Sequence, residues 1–234
     1  MTNRHAFLAL ALSLTACDPV LFGSHEVTTL TPAADGIQRL DFSNEVDATV
    51  TQGTPARVEI TINQNLRDYL HVRTSGNRLE VGMEGGYDYH DLILDVRVVI
   101  PSLDAIELSG AAQARLDGFD RAAVPRLDAQ ASGASHLSGS IATDHLALTL
   151  SGASEADLLG TTRELALEAS GASHATLDHL ATTQATVNLS GASQATLWVD
   201  TEVHGEASGA STLIIRGAAS MNVSTSGASS ITRR

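Results

Sequence analysis

The sequence predicts an all-β protein, a single-chain right-handed parallel β-helix, or β-solenoid, with coils of roughly 19 residues. The first observation is a tripeptide, Ser-Gly-Ala, whose serines recur at intervals of 23, 19, 19, 20, 18 and 18 residues between positions 109 and 226. A nearly constant period is typical of a solenoid, because each repeat can bury its apolar side only against its neighbours.

The second observation is the alternation of residue types around each repeat. In the third repeat, steps of two from the glycine give Leu146, Leu148 and Leu150 on one side, while intervening positions such as Thr149 and Glu155 are polar. Period two indicates strands with one buried face. The chain also has only four Phe, three Tyr and one Trp, which suits a narrow interior filled by Leu, Val and Ala rather than a bulky globular core.

Stacked coils would place equivalent residues in columns about 4.8 Å apart. We expect the repeat glycines to mark a bend where no Cβ fits. They are Gly110, Gly133, Gly152, Gly171, Gly191, Gly209 and Gly227. An inward column that starts at Ala112 continues with a serine in every later repeat, and each buried hydroxyl needs either the next serine or a corner carbonyl as its partner.

The N-terminus indicates export. Residues 1–16 combine Arg4 with a short apolar run at 6–14, too short to span a membrane and typical of a signal peptide. The run ends in Leu14-Thr15-Ala16-Cys17, which resembles the lipobox of bacterial lipoproteins. That resemblance implies an acylated Cys17 and therefore a membrane partner, reached through an N-terminal lipid anchor.

The rest of the chain divides into a linker and one domain. Residues 17–35 contain Pro19, Pro32 and Gly23 without clear periodicity, which predicts a lipidated N-terminus followed by a flexible tether. From residue 36 short alternating strands follow one another up to the first Ser-Gly-Ala without a linker. We therefore interpret residues 36–234 as a single solenoid domain.

Several segments of this domain resemble the bacterial family of auto-transporter adhesin head GIN domains. They are GIQRLDF at 36–42, VDATVTQG at 46–53, NL at 65–66, LEV at 79–81, VVIPSL at 98–103 and IELSG at 106–110. The resemblance covers nearly all of the chain after the linker. It implies a parallel β-helix in a cell-envelope lipoprotein, and it carries no catalytic residues over to this sequence.

The charge excludes one class of partner. The formal net charge is −13, and such a surface repels nucleic acid, so we expect no nucleic-acid binding. No motif for a cofactor is present, and we expect none.

The sequence disfavours two possible chemical sites, a serine nucleophile and a metal site. Gly-Ala-Ser-His occurs at 133–136 and 171–174, but a nucleophile elbow needs a second glycine, and a motif repeated this often indicates scaffold rather than catalysis. His136, Glu155 and His174 fall in one outward column. The two histidines would lie about 9.6 Å apart, too far for one zinc ion, so we predict a hydrogen-bonded ladder and no metal.

The aromatic and acidic segment Tyr87, Asp88, Tyr89, His90 and Asp91 is the candidate contact loop. It is expected to be an exposed hairpin or insertion between strands ending at Met83 and starting at Leu92, and loops on rigid scaffolds often carry recognition. The alternative interpretation of the segment is a solvated turn.

The predicted function is a non-catalytic binding or adhesion module in the cell envelope, facing the periplasm or the cell surface, with an unknown protein or glycan ligand. One alternative is a structural or signalling-accessory periplasmic lipoprotein that docks a protein partner. Another is a β-helix polysaccharide-active enzyme, which would need clustered acidic and basic residues on one face.

Overall fold

The computed structural model describes residues 18–234; the predicted signal peptide and Cys17 lie outside this range. About 65% of the described residues are in strands and 3% in a helix, arranged as a β-solenoid of about six turns. The strands are β1 (Val20–Phe22), β2 (Val27–Leu30), β3 (Arg39–Ser43), β4 (Asp47–Gln52), β5 (Arg57–Asn63), β6 (Leu70–Ser75), β7 (Arg78–Met83), β8 (Asp88–His90), β9 (Leu94–Ile100), β10 (Ala105–Ser109), β11 (Gln113–Phe119), β12 (Arg126–Ala131), β13 (His136–Leu150), β14 (Glu155–Ala169), β15 (His174–Leu189), β16 (Gln194–Ala207), β17 (Thr212–Arg216), β18 (Ser220–Thr225) and β19 (Ser230–Arg233).

A 3₁₀ helix, Gln64–Tyr69, joins β5 to β6. In the described part of the chain no helix has the length and apolar character needed to cross a bilayer.

The body of the solenoid is parallel and in register, as the sequence predicts. β13 pairs with β14, β14 with β15 and β15 with β16, all in the parallel sense. The predicted outward column is present, since His136 pairs with Glu155 and Glu155 with His174. Matching positions of successive repeats are therefore neighbours in space.

The interior of the coils is closed and apolar. Leu146, Leu148 and Leu150 of β13 are buried, and so are the equivalent residues of β14 and β15. Along β14 the alternation of buried and exposed positions is interrupted near Gly160 and again near Arg163. Together with the Ser-Gly-Ala corner, these interruptions give each coil three faces.

The glycine column marks a corner, as predicted, and its geometry explains the residue type. Gly171 has a φ of +74°, and a Cβ at this position would lie 2.5 Å from the carbonyl oxygen of Gly152 in the preceding coil. That carbonyl instead accepts the backbone N–H of Ala172 at 2.7 Å. A side chain at the glycine would push apart the two coils that this hydrogen bond joins.

The serine column next to the corner is buried, and carbonyl oxygens rather than neighbouring serines accept its hydroxyl protons. The Ser154 hydroxyl donates to the Ala131 carbonyl at 3.0 Å, and the Ser135 hydroxyl to the Ser132 carbonyl at 2.9 Å. Of the two partners that the sequence left open, the structure uses the corner carbonyl. These serines fasten the turn between two faces, whereas the buried hydroxyls of Ser173 and Ser211 have no hydrogen-bond partner among the described residues.

The N-terminal end of the solenoid differs from the sequence prediction. The first coil here consists of β3 and β4. β3 pairs in parallel with β10 on one side and β7 on the other, and β4 pairs in parallel with β11 and β9. Beyond it, β5 and β9 as well as β6 and β7 pair antiparallel. Together with β1, β2 and β8, these strands form a cap over the end of the solenoid. The order of the strands in space therefore differs from their order in the chain.

The predicted flexible tether is also partly wrong. β1 and β2 both lie within residues 17–35; β1 pairs in parallel with β8, and β2 pairs antiparallel with β5. Leu21 and Leu30 pack against the hydrophobic core. The segment lacks periodicity because these strands are only three and four residues long, but the exposed edge of the cap supplies backbone partners that hold it.

We predict that Gly171→Ala destabilises the fold more than Gly36→Ala. Both glycines have a φ of +74°, but a Cβ at Gly36 would meet nothing within 4 Å. Gly36→Ala should therefore cost only the backbone strain, about 1 to 2 kcal/mol, while Gly171→Ala adds the clash with the neighbouring coil. Urea unfolding of both variants measures the difference, and equal losses would contradict the stacked corner.

Candidate binding surface

A shallow groove runs along one face of the solenoid, parallel to its axis. One wall is an outward column that takes one residue from each of β12 to β16. Each of these residues is the strand-pairing partner of the next one in the column. This wall consists of Arg126, His145, Glu164, Gln184 and Glu202. With strands about 4.8 Å apart, five rungs extend over about 19 Å.

The floor of the groove is made of small side chains. Ala147, Ala166 and Thr186 stand in the adjacent outward column, and the groove ends at the next residue of this column, His204. They face outward because they alternate with the buried leucines and valines of the same strands. Their small size lowers the surface beside this polar column and leaves a cavity of about 260 Å³.

The groove contains two contacts between a histidine and a glutamate side chain. The His145 ring nitrogen Nδ1 lies 2.9 Å from a Glu164 carboxylate oxygen, and the His204 Nε2 lies 2.9 Å from Glu202. Arg126 and Gln184 add donors and an acceptor. The groove therefore offers hydrogen-bonding groups at regular intervals over an open, chain-shaped surface.

A second polar cluster lies at the start of β13 and β14. His136 stands between two carboxylates, with Nδ1 3.6 Å from Glu155 and Nε2 3.1 Å from Asp157. In the described residues the separation of 3.6 Å is too long for a hydrogen bond between His136 and Glu155, and no ion pair joins Glu155 to His174, so the predicted hydrogen-bonded ladder is wrong. Asp157 is not part of the predicted column, because it lies two positions beyond Glu155 and faces outward in the neighbouring column of the same strand.

These three side chains offer ligand atoms that all lie within 4.8 Å of one another. Carboxylate and imidazole groups are ligands for divalent ions. Each nitrogen of the ring faces a different carboxylate, however, so these contacts already join β13 to β14. The cluster can thus hold the two strands together without any ion.

The candidate contact loop, residues 87–91, is not an exposed hairpin; of the two predicted forms it takes the insertion, which lies between β7 and β9. Its residues Asp88, Tyr89 and His90 form β8, which pairs in parallel with β1, and the next strand begins at Leu94 rather than Leu92. Tyr89 is only 8% exposed, and its hydroxyl donates to the Glu84 carbonyl at 2.8 Å. Tyr87 is half-buried.

The tyrosines of this loop belong to an aromatic cluster of the cap. Tyr69 contacts Tyr87 with ring centroids 5.0 Å apart and Tyr89 at 6.3 Å. This packing orients edges toward faces, a favourable arrangement for aromatic rings. Only Asp88, His90 and Asp91 remain exposed in the segment, so any contact through this loop would be polar.

The serines of the two Gly-Ala-Ser-His motifs are scaffold residues. Ser135 and Ser173 are each 1% exposed and point into the coil interior. The groove, by contrast, did not appear in the sequence analysis as a site. Aligning the repeats on their glycines would have shown it, because that alignment places the small residues of its floor in one outward column.

A comparison with known families decides which family the chain represents. Residues 37–219 match the family described as "Putative auto-transporter adhesin, head GIN domain". The chain belongs to this head GIN domain family. The resemblance noted in the sequence is thereby confirmed, and it covers both the cap and most of the solenoid.

Solved structures share the fold at low sequence identity. A "putative adhesin" from Bacteroides fragilis superposes with a TM-score of 0.82 at 15% identity, covering 92% of this chain and 100% of that one. A "putative lipid binding protein" from Parabacteroides distasonis gives 0.74 at 15% identity, covering 92% of this chain and 99% of that one. A "putative adhesin" from Parabacteroides merdae gives 0.71 at 16%, with the same coverage.

No curated protein matches the sequence. At these identities the structural matches establish the head GIN fold alone.

The burial of Tyr89 generates a prediction about pH. Burial, helped by the nearby Glu84 carboxylate, raises the pKa of Tyr89 to about 12. The folded state thus favours the neutral phenol. The contribution of this phenol to the free energy of unfolding is complete below the ordinary tyrosine pKa of about 10 and is lost as the pH rises to about 12. The stability advantage of the native chain over Tyr89→Phe should narrow across this range by on the order of 2 kcal/mol. Parallel pH profiles in urea unfolding would contradict the burial.

Proposed function

We propose that the protein is a lipid-anchored binding or adhesion module of the cell envelope, and that its groove binds an extended polar chain, with a glycan strand as the best candidate. The observation that carries this proposal is the shape of the groove, which is open at the surface and spans five rungs. An open groove accepts a polymer more readily than a compact molecule.

The chemistry of the groove supports an uncharged or weakly charged ligand. Its histidine and glutamate side chains already pair with each other, and Gln184 and Thr186 provide neutral hydrogen-bonding groups. The net charge of −13 opposes a polyanion. Sugar hydroxyls can donate and accept hydrogen bonds at such positions without bringing a charge of their own.

The proposed module is not an enzyme. The serines of the inward column, such as Ser135 and Ser173, are inside the coils. The two His-Glu pairs of the groove lie apart, one between β13 and β14 and the other within β16, which does not suit one reacting centre. The family is described by an adhesin role, which also favours binding over catalysis.

The envelope location and the anchor follow from the N-terminal motif. An exported chain with Cys17 at the end of a short apolar run is suited to acylation at that cysteine. The adhesin description of the family is consistent with a protein held at the bacterial envelope.

Filling the groove tests the binding site. We predict that Ala166→Arg, in the middle of the floor, abolishes or strongly weakens retention of envelope glycans, because the long side chain occupies the space of the ligand. Thr176→Arg is the matched control, since Thr176 faces outward on another face of the adjacent coil. Glycan-array binding by the full-length lipoprotein measures the effect. If Ala166→Arg binds as the native chain does, or if Thr176→Arg loses binding equally, the groove is not the site.

A further inference from the structure

Exposed hydrophobic side chains concentrate at one end of the molecule. In residues 18–234 seven large hydrophobic residues are strongly exposed, and four of them belong to the cap: Val20, Phe22, Val27 and Ile93. Phe22 is the most exposed, at 62%. The remaining three, Leu159, Trp198 and Met221, are separated along the solenoid. A cluster of this kind on a water-facing surface indicates a contact.

Backbone contacts hold the four residues in one region of the cap. β1 carries Val20 and Phe22 on its outward side and is fixed to β8, with the Phe22 ring stacked on His90 at a centroid distance of 5.3 Å. The Gly23 N–H donates to the His90 carbonyl at 2.8 Å. This end of β1 is therefore part of the folded cap.

Asn63 holds Val27 and Ile93 next to the end of β1. It is buried, and its side chain donates to the Ser24 carbonyl at 2.7 Å and accepts the Ile93 N–H at 2.6 Å. Val27 pairs directly with Asn63 in the sheet. Val27, Ile93 and the end of β1 thus surround one buried asparagine.

The distance to the proposed anchor decides what covers this region. Only Asp18 and Pro19 separate Cys17 from the start of β1 at Val20, a step of three residues that can extend over no more than about 11 Å. The interfacial layer on each side of a bilayer is about 5 to 8 Å thick. Because β1 is folded onto the cap, no longer tether is available to move the domain away from the lipid.

We propose that the cap rests directly on the membrane, with Val20, Phe22, Val27 and Ile93 in the interfacial layer and the solenoid projecting outward. This inference rests on the proposed acylation of Cys17. Apolar side chains gain from leaving water at this depth, as they do on amphipathic membrane-surface elements. The exposed carboxylates of Asp18, Glu26, Asp88 and Asp91 at this end favour a zwitterionic lipid surface over an anionic one.

Spin labels on the full-length acylated chain test the contact. Cysteine is introduced at Phe22 or Val27 in the cap, with Met221→Cys, in the last coils, as the matched exposed control. The acylated Cys17 does not react with the label. In phosphatidylcholine vesicles we expect the ratio of oxygen to nickel-chelate accessibility to be several-fold higher at the cap positions than at position 221. Adding phosphatidylglycerol should lower that ratio.

Two further measurements separate the possible failures. Flotation of the vesicles and the intact mass of the chain report acylation independently of the cap. A chain that is acylated and floats, but whose cap labels are as accessible to nickel chelate as position 221, overturns the cap contact and leaves the anchor intact. A chain without acyl mass that does not float overturns both.

Dipolar broadening between cap labels would show that a second copy covers the cap and would also overturn the proposal. Hydrogen exchange of the native sequence tests the same contact without any cysteine substitution, so its result does not depend on how the variants fold. Residues 18–30 and 88–93 should exchange more slowly in vesicles than in detergent, and unchanged exchange there counts against the contact.

Discussion

The structure depends on the contact between one coil's glycine and the carbonyl of the glycine below it. At the Ser-Gly-Ala corner the two backbones approach so closely that a Cβ has no room, and the hydrogen bond between them sets the spacing of the coils. Once this spacing is fixed, the strands on all three faces pair in register. The leucine interior, the serine column and the polar surface columns all follow from this contact.

The same contact explains how much of the fold the sequence predicts. Where the glycine recurs, from Gly110 onward, the coils, the buried serines and the outward columns are as expected. Before Gly110 the corner is occupied by Asn44, which has a φ of 51° and contacts Gly110 in the next coil. Asparagine tolerates this conformation, but nothing in the local pattern identifies it as the first rung.

The cap could not be predicted because its strands carry no repeat. β5 to β9 alternate as solenoid strands do, so periodicity alone cannot distinguish an antiparallel hairpin from another coil. β1 and β2 are too short to show a period, and only tertiary pairing with β8 and β5 makes them strands. The candidate contact loop was misread for the same reason, since Tyr87 and Tyr89 look exposed in sequence until Tyr69 packs against them.

The two proposed contacts lie on parts of the molecule with different physical character. The cap presents hydrophobic side chains close to the predicted anchor, whereas the groove presents polar side chains along the solenoid. A rigid stack of coils between them would keep the groove at a fixed orientation to the membrane. The groove was not predicted because its floor consists mainly of small residues such as Ala147 and Ala166, which carry no chemical signal, and only the longer side chains of the neighbouring column make this surface a groove.

Distances between spin-label pairs test the in-register stacking most directly. With one label fixed at Gln113 in a Cys17→Ser chain, the second is moved along the same outward column to Gln194, Thr212 and Ser230, which the pairing places four, five and six rungs away. The account predicts backbone separations of about 19, 24 and 29 Å, rising by one strand spacing at each step. Distances that do not rise in equal steps would contradict it.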